Sequence, residues 1–179
     1  SDALALLKEV PELQSLVDLD VEHVMNIDSS NMQPKHWTTI AERIHKLYKK
    51  YDGFVVAHGT DTMAYTASAL SYALPGLGKP IVFTGSLIPM SEVGSDARNN
   101  LVYACMTATL NIAEVCVVLA NKILRAKSIK KHHESFVAAF HSPNYPALGE
   151  LGRPIIIHEW CKKRHDKTPK LKANFDSKI

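Results

Sequence analysis

The 179-residue sequence predicts an α/β domain: a three-layer sandwich with a mainly parallel sheet covered by helices on both faces. Two observations carry this. Strand-like and helix-like segments alternate three times with short connections, the pattern of βα units that wind a parallel sheet. Polar clusters follow the strands rather than precede them, and the carboxy ends of strands are where such sheets bind ligands.

The elements read in order as follows. Leu4, Leu6, Leu7 and Val10 suggest a short helix, and Pro11 suits the first turn of another. Val21–Ile27 is rich in β-branched and apolar residues and reads as a strand ending in the turn formers Asp28-Ser29-Ser30-Asn31. Trp37, Ile40, Ala41, Ile44, Leu47, Tyr48 and Tyr51 share one helical face, with Lys46, Lys49 and Lys50 off it, and Asp52-Gly53 stops that helix. Phe54–Ala57 is a short buried strand, His58–Thr62 turns the corner, and Met63–Leu74 reads as a helix. After the breakers Pro75, Gly76 and Gly78, Pro80–Thr84 is a third strand. A loop covers Gly85–Gly94, and Ser95 or Asp96 can cap a helix running to about Leu110. Val115–Leu119 is a fourth strand. Asn121–Glu134 has no clean period, Phe136–Phe140 reads as extended, Ser142–Pro146 as a turn, and Pro154–His158 as a last strand.

Composition narrows the function classes. Hydrophobic residues make up 46% and charged residues 22%, which is ordinary for a globular domain. Apolar runs such as Val115–Ala120 fall far short of the roughly 20 residues a membrane helix needs, and Asp2 and Lys8 interrupt any secretory leader. The net charge of +3 is concentrated in Lys162, Lys163, Arg164, Lys167, Lys170 and Lys172. No aromatic residues are interleaved among these bases, so a solvated linker is favoured over a nucleic-acid-binding arm. Cys105, Cys116 and Cys161 form no CxxC pair, which argues against a disulfide scaffold or a zinc site and for a reducing, cytoplasmic setting.

Several residues can carry chemistry. Gly59-Thr60-Asp61-Thr62 places a hydroxyl and a carboxylate at a helix start behind a glycine turn. Taken alone, that favours a capped βα turn over a nucleophile beside an oxyanion site. Asp28-Ser29-Ser30 can hold the amino and carboxylate groups of an amino acid, or simply cap the helix before Trp37. Among Lys122, Lys127, Lys130 and Lys131, and among His58, His132, His133 and His141, spacing alone selects none. No histidine has a partner at metal-ligand spacing, and neighbours such as His132 and His133 point different ways in regular structure. There is no GxSxG elbow, no GxxxxGK[ST] phosphate loop and no GxGxxG fingerprint.

The string His58-Gly59-Thr60-Asp61-Thr62-Met63-Ala64-Tyr65 resembles the second active-site signature of the asparaginase/glutaminase family. It is joined in order by Asn26-Ile27-Asp28-Ser29-Ser30, Thr84-Gly85-Ser86 with Ile88-Pro89, Ser95-Asp96 with Asn100-Leu101, and Ser142-Pro143-Asn144. The resemblance runs from about Leu6 to Trp160 and is nearer the cytosolic branch. It implies the amino-terminal domain of a two-domain L-asparaginase, with Thr60, Asp61 and a lysine acting across the amide of L-asparagine. The family lysine lies eleven residues before the serine of the Ser-Pro-Asn segment, which selects Lys131 and keeps Lys130 as a rival. Asp28, Ser29, Ser30, Gly59 and Ser86 match substrate-binding positions. No metal or organic cofactor, no nucleic acid and no membrane is implied. The intact protein is expected to be a homodimer or homotetramer.

On the same resemblance, residues 1–158 form the amino-terminal α/β domain without its first strand, and 159–179 a basic linker toward a carboxy-terminal domain. The family's opening Thr-Gly-Gly-Thr strand has no counterpart here, so this chain alone is expected to be inactive and marginally stable. The other readings are a glutaminase-like subunit of a tRNA amidotransferase and a non-catalytic interaction domain that kept the fold.

Overall fold

The computed structural model describes residues 9–133 and 138–176. The helix expected over Leu4–Leu7 and the extended segment at Phe136 and Val137 lie outside the described residues. A single helical turn, α1 (Leu13–Leu16), follows Pro11. Then come α2 (Pro34–Leu47), β1 (Phe54–Ala57), α3 (Met63–Ala73), β2 (Ile81–Thr84), α4 (Ala97–Thr109) and β3 (Val115–Leu119). Five further short strands are β4 (Lys122–Arg125), β5 (Lys130–Lys131), β6 (Phe140–His141), β7 (Gly149–Glu150) and β8 (Ile156–Ile157).

Six strands form the main sheet in the order β1-β2-β3-β4-β7-β8. β1, β2 and β3 pair in parallel, and β4, β7 and β8 each pair antiparallel with the preceding strand in that order. Four strands therefore run one way, and only β4 and β8 oppose them. Alternation along each strand divides the core between the two faces. Ile81, Phe83, Val115 and Val117 pack with Ile40, Ile44, Met63 and Leu70 under α2 and α3. Val82, Cys116 and Val118 pack with Ala104 of α4 on the opposite face. That double coverage explains why β2 and β3 read as unbroken apolar runs.

Two expectations are corrected. Val21–Ile27 is not a strand: no ladder joins it to a strand among the described residues. Its backbone runs past β1 at a distance, tied to α2 and the turn after it by the ion pairs Arg43–Glu22 (2.7 Å) and Lys50–Asp20 (3.1 Å). Between this segment and β1 lies a groove of about 1460 Å³ lined by Val21, Val24, Phe54 and Val56 among others. Among the described residues β1 pairs on one side only, and its residues are half-buried or exposed where those of β2 are all buried. β-Branched residues favour a pleated surface, but a strand forms only where a neighbouring backbone is in register.

The second correction is Asn121–Lys131, where no period was legible. Ala120 adopts φ 54° and turns the chain directly into β4, which pairs back on β3. β4 is internal to the sheet, so Ile123 and Leu124 are both buried, on opposite faces, and the segment shows no alternation.

The backbone of the basic tail is strapped to the domain, while the side chains of Lys162, Lys163, Lys167, Lys170 and Lys172 are exposed, as expected of a solvated segment. Lys170 and Lys172 donate backbone N–H groups to Pro75 and Ala73, and Thr38 Oγ1 donates to the Ala173 carbonyl at 2.7 Å. Phe175 meets Trp37 edge to face. Arg164 donates to the carbonyls of Leu110, Asp52 and Ala108, each at 2.6 Å. Its charge serves the carboxy end of α4, where carbonyls have no helical partner.

Candidate active site

The polar groups singled out in the sequence gather where β1 and β2 end. β1 stops at Ala57, and the turn His58–Thr62 leads into α3. The capped-turn reading of this motif fails. Thr62 occupies the cap position, but its hydroxyl donates instead to the Ser29 carbonyl at 2.6 Å. Thr60 and Asp61 are likewise turned away from the helix start and toward one lysine.

That lysine is Lys131. Its Nζ lies 2.6 Å from Asp61 Oδ1 and 3.2 Å from Thr60 Oγ1. The Lys131 side chain is 17% exposed and that of Asp61 60%, so the pair sits at a rim, with the ammonium on the protein side. Strand alternation explains the choice between the neighbouring lysines. β5 pairs with β6, Lys131 lies inward on it, and Lys130 is exposed. Lys127 is used elsewhere, over the Tyr72 ring, and Lys122 is exposed in β4.

Thr62 also docks the preceding loop. Ser29 is buried, and Gly59 fits against it so closely that a Cβ there would meet Ser29 Oγ at 2.7 Å and Cβ at 2.8 Å. Asp28 caps the 3-10 turn Ser29–Asn31 by accepting from the Ser30 amide (2.8 Å) and hydroxyl (2.7 Å). The Ser30 hydroxyl, followed by its amide, holds the Asp28 carboxyl below the usual carboxylate range. The helix before Trp37 has a different start, unseen in the sequence: Pro34 opens α2 and the Gln33 amide donates to His36 Nδ1 at 3.0 Å.

Ser86 follows Gly85 at the end of β2 and is half-buried. No hydrogen bond among the described residues links it to Thr60, Asp61 or Lys131. Its loop is held by residues expected only to cap α4. Ser95 Oγ does accept from the Ala97 amide, but the buried Asp96 carboxylate reaches across to the amides of Leu87 and Ile88, both at 3.0 Å from Oδ1. Asn100 joins it, donating to Asp96 Oδ2 at 2.7 Å and to the Gly85 carbonyl at 2.9 Å, and accepting from the Ala120 amide at 3.0 Å. One carboxamide thus links the ends of β2 and β3. Four-residue spacing between Asp96 and Asn100 on one helix was the sequence signal for this clamp.

His132, His133 and His141 cluster behind Lys131, with ring centroids 4.3 and 4.6 Å apart along the set. His132 and His133 do not diverge as neighbours on a regular strand would. Both amides bond the Ala139 carbonyl where the ladder ends, and their rings meet edge to face. No trio of His, Cys, Asp or Glu side chains among the described residues is placed to hold a metal ion. No helix among them is long and apolar enough to cross a membrane.

A mixed α/β sheet with a hydroxyl, an ammonium and a carboxylate joined at the carboxy end of its first strand has the architecture of an α/β enzyme domain. The family is given by comparison: residues 1–162 match the asparaginase N-terminal domain, and the chain belongs to the asparaginase family. L-asparaginase 1 of Escherichia coli (strain K12) is 48% identical over 132 residues, 73% of this chain and 39% of that protein. A glutamyl-tRNA(Gln) amidotransferase subunit of Archaeoglobus fulgidus is 34% identical over an alignment of 184 positions, covering 97% of this chain and 44% of that protein. The crystal structure of a probable cytoplasmic L-asparaginase from Campylobacter jejuni superposes with a TM-score of 0.83 at 34% identity, over 99% of this chain and 55% of that one. The chain therefore spans about half or less of the length of these relatives.

Proposed function

We propose that this chain is the amino-terminal domain of an L-asparaginase, hydrolysing the side-chain amide of L-asparagine to L-aspartate and ammonia. The observation that carries the reading is Lys131 Nζ bridging Thr60 Oγ1 and Asp61 Oδ1, in a member of the asparaginase family. The carboxylate of Asp28 and the hydroxyls of Ser29 and Ser30, docked on Gly59 and Thr62, offer partners for the substrate's amino and carboxylate groups.

In this mechanism Asp61 orients Lys131 and Thr60. Asp61, 2.6 Å from Lys131 Nζ, takes a proton from the ammonium; the amine so formed takes a proton relayed through Thr60 as a threonine oxygen forms a bond to the amide carbon. The tetrahedral intermediate collapses with breakage of the carbon–nitrogen bond. Ammonia leaves with the relayed proton, and water then cleaves the acyl-enzyme ester to return the hydroxyl and release the acid.

The open groove beside β1 supports a second part of the proposal. A strand bearing the family's Thr-Gly-Gly-Thr would lie between β1 and Val21–Ile27, pair with both, and bring a further threonine beside Thr60. Without it the chain turns over little or nothing. The working protein is then a cytoplasmic homo-oligomer, a reading supported by the likeness to the probable cytoplasmic Campylobacter jejuni enzyme and by the family resemblance.

The test is ammonia release from L-asparagine by the chain extended at its amino end with such a strand, beside Thr60→Val and Lys131→Ala variants. Release that falls at least a hundred-fold in both variants is expected. Retained turnover in either variant refutes the assignment. The similarity to a tRNA amidotransferase component gives a second reading, in which free asparagine is a poor substrate until a partner protein is added. Turnover of free asparagine without a partner excludes it.

A further inference from the structure

We propose that His58 is a positioning residue that fixes the direction of the Thr60 amide N–H. The argument starts from one short bond: His58 Nδ1 lies 2.6 Å from the carbonyl oxygen of Gly59. A carbonyl can only accept, so Nδ1 carries a proton. The other ring nitrogen, Nε2, is buried and meets no hydrogen-bond partner among the described residues. A second proton would be stranded there, so the ring is neutral and held in one tautomer. Burial pushes the His58 pKa below the ordinary histidine value, in agreement. The ring is also fixed in space. It meets Phe83 edge to face at 5.9 Å, and its own backbone N–H donates to the Thr84 carbonyl at 2.8 Å.

The consequence runs through one peptide plane. Gly59 has no side chain and is exposed at the mouth of the groove, so its own backbone preferences do little to fix the plane of the Gly59–Thr60 peptide. In a planar trans peptide the carbonyl and the following N–H point in opposite directions. By holding the Gly59 carbonyl, His58 aims the Thr60 N–H away from the ring. An N–H held still beside a reacting hydroxyl is the kind of donor a developing oxyanion needs. The inference rests on the reading of Thr60 as a site group and gives His58 a task that the Thr60–Lys131–Asp61 set does not perform.

The experiment compares His58→Phe, His58→Asn and His58→Gln. Phenylalanine keeps the ring packing and removes both nitrogens. The asparagine amide nitrogen falls near the place of Nδ1, and the glutamine nitrogen near that of Nε2. In ¹⁵N-labelled parent chain, the His58 imidazole is expected to show a protonated Nδ1 and a bare Nε2 at neutral pH. The Thr60 amide resonance is expected to be single in the parent and in H58N, and doubled or broadened in H58F and H58Q. In the strand-extended chain, kcat for L-asparagine should fall about ten-fold in H58F and H58Q, the loss of one hydrogen bond. It should recover in H58N, with KM changed less than about two-fold throughout, as expected when only a transition-state contact is lost. An Nε2–H tautomer, a single sharp Thr60 amide in H58F, or equal behaviour of H58N and H58Q overturns the proposal. If the extended parent releases no ammonia, the hydrolase reading fails, while the resonance measurements still decide the role of His58.

Discussion

Replacing Asp96 with alanine tests whether the loop after β2 is held from α4. The carboxylate is 8% exposed and accepts from the Leu87 and Ile88 amides and from Asn100 Nδ2. Hydrogen bonds to a charged acceptor contribute about 1.5–3 kcal/mol each. The two backbone donors are only partly buried and recover some of that from water, so about 1 kcal/mol per lost bond is the better figure, or about 3 kcal/mol together. For a chain of this length each kcal/mol lowers Tm by about 2–4 °C, giving an expected fall of about 6–12 °C. Asp96→Asn should cost about half as much, because one oxygen still serves the loop while the new NH₂ faces the NH₂ of Asn100. The assay is urea unfolding with an unchanged m-value, joined to hydrogen exchange at Leu87 and Ile88. A loss below about 0.5 kcal/mol for D96A, the range of an ordinary surface substitution, would refute the reasoning. So would unchanged exchange at both amides.

Two further outcomes follow from the site. Ser30 depresses the pKa of Asp28 in the folded chain, so the Asp28–Ser30 contact stabilises the loop fully above the ordinary aspartate value of 3.8. That contribution is lost as pH falls through the lower folded value. The Ser30 amide shift should therefore titrate with a midpoint below 3.8, and Ser30→Ala should move the Asp28 midpoint upward; a midpoint at or above 3.8 in the parent refutes this. Gly59→Ala should destabilise by about 1–3 kcal/mol, since its Cβ would overlap the buried Ser29 side chain. Ser29→Gly in the same chain should restore most of that loss by thermal melting, and strictly additive effects would show that the two positions are not in contact.

Much of this was legible from residue order. The stripe Ile40, Ala41, Ile44 and Tyr48 marked the buried side of α2 and its end because helical period and burial coincide there. Val82 and Phe83 read as a buried strand because both faces of β2 are covered. The candidate site motif was visible because Gly59, Thr60 and Asp61 are contiguous. Lys131 was a different case. It lies 71 positions from Thr60, and spacing could not separate it from Lys130; only the family pattern did so. The direction of its side chain depends on pairing with Phe140 across a two-residue ladder. β4 was hidden because its reversal uses Ala120 at positive φ, where glycine or asparagine would have signalled a turn. Asp96 and Ser95 were seen as caps because local rules favour a cap at that position. The reach of Asp96 to Leu87 and Ile88 belongs to the tertiary fold.

The flank of β1 that faces the groove has a consequence for handling the protein. Phe54–Ala57 presents backbone donors and acceptors there, beside Leu16, Val21 and Val24, which are 43%, 38% and 43% exposed. Such an edge recruits any extended chain, including a second copy of itself. Self-association of this chain should therefore rise with concentration and fall when a soluble strand-forming peptide competes for the edge. An oligomer formed in that way is held by borrowed backbone hydrogen bonds and owes nothing to the symmetry of a working enzyme.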